Sequence, residues 1–131
     1  MKVLVQKLNE PNINNHIYTT ECIKDAIINS PCVNEAINSK SCFVFKKCKW
    51  GGLELSRVFA SDVVGVINRF FIENKDGTEY LCADIDFKDK SYDEVYLAGF
   101  GDVTVNDDEK CIVSNYTYDY CFVEDGDINE K

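Results

Sequence analysis

Apolar residues recur along this chain with two different periods, and the change comes near residue 41. In residues 2–8, Val3 and Val5 recur two apart, and Leu4 and Leu8 add bulk, as in a buried strand. Glu10-Pro11-Asn12 stops that strand. Asn12, Asn14 and Asn15 favour turns and left-handed backbone, because their short amides bond the local chain. Thr19 or Thr20 is placed to cap a helix, in which Cys22, Ile23, Ala26 and Ile27 take the three-and-four spacing of one apolar face. Ser30-Pro31 ends it. Residues 32–38 read as a second short helix with Val33, Ala36 and Ile37 inward.

From Ser41 the pattern is β. Strands are expected over Ser41–Cys48, Leu53–Phe59, Asp62–Glu73, Thr78–Phe87, Val95–Val105 and Lys110–Val123. Trp50-Gly51-Gly52 marks a turn, and Gly65 suggests a bulge. Asn74-Lys75-Asp76-Gly77 is the clearest local signal, since Asp-Gly between apolar runs supplies the positive φ of a tight hairpin. Residues 88–94 form a polar loop, and Asn106-Asp107-Asp108-Glu109 a second hairpin turn. Tyr116, Tyr118 and Tyr120 alternate, so regular pleating puts all three on one face, with Thr117, Asp119 and Cys121 on the other. The fold class expected is α+β: an N-terminal strand and one or two short helices, then a mostly antiparallel β-meander. Closure into a small barrel would remove its edges.

At 131 residues with 45% hydrophobic and 12% aromatic content, the chain makes one domain with a real core. We expect a globular unit over residues 1–123 and an acidic tail over 124–131. The net charge of −9 is uneven. Residues 1–75 hold ten Lys/Arg against seven Asp/Glu, whereas residues 76–131 hold four Lys against sixteen Asp/Glu. Such asymmetry serves solubility, or orients the protein against a basic partner. No apolar run reaches the ~18 residues that span a membrane, and residues 2–8 are too short and polar for a signal peptide core. A soluble protein that stays in the cell making it is expected.

Seven cysteines are widely spaced and one histidine is present, with no Cys-x-x-Cys pair, which argues against zinc. Free buried thiols are the favoured reading and a disulfide framework the alternative. Asp84 and Asp86 share a strand face but supply too few oxygens for calcium, and no run completes an EF-hand. No cofactor or metal is expected. Lys46, Lys47 and Lys49 beside Trp50 suit a solvated strand edge, and with two arginines (Arg57 and Arg69) in an acidic chain no nucleic-acid partner is expected. His16 sits in a turn, and no Gly-x-Ser-x-Gly elbow exists. The tyrosine stripe (Tyr116, Tyr118, Tyr120), Trp50 and the acidic turn (Asp107, Asp108, Glu109) remain as candidates for protein contact, since aromatic residues are enriched at interfaces.

Pro11-Asn12-Ile13-Asn14-Asn15, followed by Ile17-Tyr18 and the helix from Glu21 to Ile27, resembles the opening of the phage prohead (capsid-maturation) protease family. Weaker similarity runs through Leu53–Val66 and Tyr80–Phe87. The resemblance implies a catalytic His in a Ser-His context and a nucleophile in a Gly-hydrophobic-Ser segment. Here Ser56-Arg57-Val58-Phe59-Ala60 has no His, and Gly99-Phe100-Gly101-Asp102 has no Ser. The expectation is therefore a shortened, inactive relative: a non-enzymatic virion protein, associated with the capsid or head, that docks on a capsid or other particle protein in one or several copies. The alternatives are a small acidic inhibitor that mimics DNA before a host defence nuclease, and a residual protease using His16.

Overall fold

A computed structural model describes residues 1–48 and 63–125. The elements are β1 (Lys2–Lys7), β2 (His16–Tyr18), α1 (Thr20–Ile23), α2 (Pro31–Asn38), β3 (Phe43–Cys48), β4 (Val63–Lys75), β5 (Thr78–Phe87), β6 (Tyr96–Val105) and β7 (Cys111–Asp125). The architecture is α+β. The expected strand over residues 53–59 lies outside the described residues, as does all of the tail beyond Asp125, whose first residues instead extend β7.

Local chemistry explains most of these boundaries. The Asn12 side-chain oxygen accepts from the backbone N–H groups of Asn14 (2.9 Å) and His16 (3.0 Å), and Asn15 takes left-handed backbone at φ 63°. Thr19 caps α1 by accepting from the Cys22 N–H at 3.1 Å. The helix then widens into a π-helical turn, Lys24–Ile28, and stops before Ser30. Ser30 caps α2, where Pro31 occupies the first turn and needs no donor of its own. Asp76 (φ 55°) and Gly77 (φ 89°) make the two-residue loop between β4 and β5, and the Asn74 amide oxygen accepts from the Gly77 N–H at 3.1 Å.

The seven described strands form one sheet in the order β1-β5-β4-β3-β7-β2, with β6 on the other edge of β7. This is not a single meander. β3, β4 and β5 form one antiparallel unit, and β6 and β7 another; parallel pairing of Val44–Cys48 with Cys121–Asp125 joins the two. The free edge of β5 is taken by β1, with Lys2 opposite Asp84, so β6 has no place beside β5. β1 and β6 approach one another, but no ladder joins them, and the sheet stays open rather than closing into a barrel.

Gly65 is not itself the extra residue of a bulge. It pairs regularly with Val44 and Phe87, and the β3–β4 register slips beside it, at Val64. A Cβ at Gly65 would meet the Asp86 carbonyl and Ile85 at 3.0 Å, so close strand approach explains this glycine. A separate bulge lies at Asn68, against β5.

α1 and its π-helical turn lie against β7, and α2 packs on β4. Leu8, Ile23, Ile27, Val44, Ile67, Leu81, Ile85, Cys121 and Val123 are fully enclosed between helices and sheet. Each large aliphatic side chain there contributes about 1.5–3 kcal/mol relative to exposure. No disulfide forms among the described cysteines; Cys42, Cys82 and Cys121 are buried thiols. No helix among the described residues is long and apolar enough to cross a membrane.

Candidate protein-interaction surface

The tyrosine stripe does not stay on one face. β7 carries two bulges against β6. Between Phe100↔Thr117 and Asp102↔Ser114, β7 spends one residue more than β6, and Asn115 there has φ 53°. Between Ala98↔Tyr120 and Gly99↔Tyr118, Asp119 is the extra residue. Each bulge reverses the alternation of side chains that follows it. Val113, Tyr116 and Tyr118 consequently face the core, and beyond Asp119 the inward residues become Cys121 and Val123.

Tyr116, 9% exposed, packs edge-on against Tyr18 with ring centroids 5.5 Å apart. Tyr118 packs on Phe70 at 5.6 Å and lies 3.9 Å from the Cys42 thiol. Burial raises the pKa of both phenols well above the ordinary range. These two are core residues, which corrects the expectation that the whole stripe forms one docking face.

Tyr120 points to the opposite side. It joins an aromatic row across β3, β7 and β6: Phe43 against Phe45 (6.1 Å), Phe45 against Tyr120 (5.8 Å), Tyr120 against Phe122 (6.0 Å) and Phe122 against Tyr96 (5.5 Å). The row follows from pairing of Phe45 with Phe122 and of Phe122 with Tyr96. At its margin the Tyr96 hydroxyl donates to Glu94 at 2.6 Å, and this bond, with burial, pushes the phenol up to about 12.

β6 is an edge strand among the described strands. Gly99–Val105 are all exposed, including Phe100 at 73%, Val103 at 51% and Val105 at 63%. Val103 and Val105 stand opposite Val113 and Cys111, on the core-facing side of the sheet but past the end of the core. Phe100 and Asp102 stand on the other side, and Asp102 accepts from the Asn115 amide at 2.9 Å. The hairpin tip is built by Asn106, whose side-chain oxygen accepts from the N–H groups of Asp108 (3.0 Å) and Lys110 (2.9 Å). Asp107, Asp108 and Glu109 are exposed there. The tip is clasped by the N-terminal turn: Asn15 donates to the Glu109 carbonyl at 3.0 Å, and its own carbonyl accepts from the Cys111 N–H at 3.1 Å.

Residues 93–109 hold six carboxylates and no Lys, Arg or His. The structure thus gathers the acidic turn, Tyr96 and the three exposed apolar residues on one ribbon. Trp50 lies outside the described residues. The exposure of Phe100, Val103 and Val105 is not expected from the sequence, where the Val-Thr-Val alternation after Asp102 is its only sign.

Two other features bear on chemistry. A cleft of about 380 Å³ opens between α1 and β7, with Glu21 and Asp25 among its polar walls and Ala26, Val113 and Tyr116 among its apolar ones. His16 lies on β2 opposite Cys111 of β7, and among the described residues its ring makes no hydrogen bond to a thiol or hydroxyl. Gly99–Asp102 belongs to the exposed part of β6, while Ser56–Ala60 lie outside the described residues. No three His, Cys, Asp or Glu side chains converge among the described residues.

Neither a family model nor a curated protein matches the sequence. Among solved structures, the chain is similar to the bacteriophage T4 capsid assembly protease, gp21, with a TM-score of 0.68 over 96% of this chain and 81% of that one. The two sequences are 13% identical, so what they share is the fold.

Proposed function

We propose that this chain is a non-enzymatic phage protein that associates with the capsid or another head component through protein contacts. The observation that carries the reading is the likeness of nearly the whole chain to a capsid assembly protease. The ribbon of β6 and β7 supports it further: it offers an apolar edge beside acidic residues, a combination suited to a protein surface. The absence of Ser from Gly99–Asp102 supports a binding role over hydrolysis.

The test is co-sedimentation with purified phage particles, with protein bands quantified by mass spectrometry. Stoichiometric recovery with particles is expected. A protein abundant in infected cells and missing from both mature particles and proheads would overturn the reading.

A further inference from the structure

We propose that the outer edge of β6, over Gly99–Val105, binds an extended segment of a partner protein by strand addition, and that the segment alternates lysine or arginine with apolar residues. The partner's place in a phage particle rests on the reading above; the strand-addition mode does not.

Three observations carry this. First, β6 pairs with β7 alone among the described strands and both bulges lie on β7; β1 approaches β6 without forming a ladder, and the exposed Gly99–Val105 stretch carries no bulge on its second edge. A strand edge is a row of backbone donors and acceptors ready for another chain. Second, this edge has none of the usual protection. Natural edges carry lysines, prolines or bulges, whereas Gly99–Val105 has one charged residue, Asp102, and three exposed apolar ones. Third, charge selects the occupant. The six carboxylates of residues 93–109 have no cation among them, so a second copy pairing edge to edge would set acid against acid.

Side-chain alternation then specifies the ligand. An added strand places every other side chain beside Val103 and Val105, on the core-facing side. The intervening side chains fall on the side of Asp102 and Phe100 and run toward the acidic tip. Apolar residues suit the first set and cationic residues the second.

The probe is a fluorescein-labelled peptide, Lys-Val-Thr-Val-Lys-Val-Lys, titrated with the full chain and followed by anisotropy and amide hydrogen exchange. Saturable binding that weakens with salt is expected, with new protection confined to β6 amides between Gly99 and Val105. Val103→Lys with Val105→Lys, both at exposed positions, should weaken it by at least about tenfold, with unchanged circular dichroism. Replacing the peptide lysines with glutamates should abolish it. Absence of binding, equal binding of the glutamate peptide, or protection elsewhere would overturn the proposal. So would concentration-dependent dimerisation of the protein that Val103→Lys removes, since the occupant would then be a second copy. Particle association that survives the double substitution would overturn strand addition as its route and leave the proposed function standing. Peptide binding without particle association would do the reverse.

Discussion

Alanine substitution along β7 separates the observed geometry from simple alternation. If the strand were regular, Tyr116, Tyr118 and Tyr120 would share one environment and respond alike. The bulge at Asp119 instead leaves Tyr116 and Tyr118 in the core and turns Tyr120 onto the aromatic row. Tyr116→Ala empties a site that is 9% exposed and removes its contact with Tyr18, which should cost about 3–5 kcal/mol. Tyr118→Ala, losing Phe70 and the Cys42 contact, belongs in the same range. Tyr120→Ala loses ring contacts with Phe45 and Phe122, for about 1–2 kcal/mol. With a urea m-value of about 2 kcal/mol/M, the first two substitutions shift the midpoint by roughly 2 M and the third by less than about 1 M. The assay is urea unfolding followed by circular dichroism, with the m-value checked for constancy. A Tyr120→Ala loss as large as that of Tyr116→Ala would refute the parity reversal at Asp119.

Other outcomes follow from the same packing. Gly99→Ala places a Cβ against the Thr117 carbonyl and the Tyr116 phenol ring and should cost about 1–3 kcal/mol in thermal or urea unfolding. Gly101→Ala, whose nearest neighbours lie at 3.1 Å, should cost less. Glu109 sits at φ 60°, so Glu109→Gly should stabilise by up to about 1 kcal/mol, read as a rise of roughly 3 °C in Tm. Stability should fall above pH 9. Burial pushes the Cys121 thiol up from 9.0 to about 12, so the unfolded chain releases a proton that the folded chain keeps. The contribution is complete below pH 9 and shrinks as pH rises, by about 1.4 kcal/mol at pH 10. Burial of the Tyr118 phenol adds to the loss above pH 10. Urea midpoints between pH 7 and 10.5 should therefore fall less steeply in Cys121→Ala, the remaining slope coming from Cys82, whose thiol burial pushes up to about 11; an unchanged slope would show that Cys121 is not a source.

The sequence by itself determined the features whose cause lies within a few residues. Asn12 sets the turn through its side-chain oxygen and Asn15 by taking left-handed backbone, Thr19 and Ser30 cap the helices, and Asp76-Gly77 forms the hairpin because those residues accept positive φ. The α+β class, the acidic tip at Asp107–Glu109 and the inward set of α1 were legible for the same reason. Tertiary structure decided what depends on distant partners. β1 fills the edge of β5, which excludes a simple meander, and the resulting sheet order places β6 at an open edge. The exposure of Phe100, Val103 and Val105 follows from that order, because an apolar residue is buried only if another element reaches it. The fate of the three tyrosines was settled the same way. Their spacing is regular in the sequence, but register against β6 inserts Asp119 as an unpaired residue, and one inserted residue exchanges the two faces of everything beyond it.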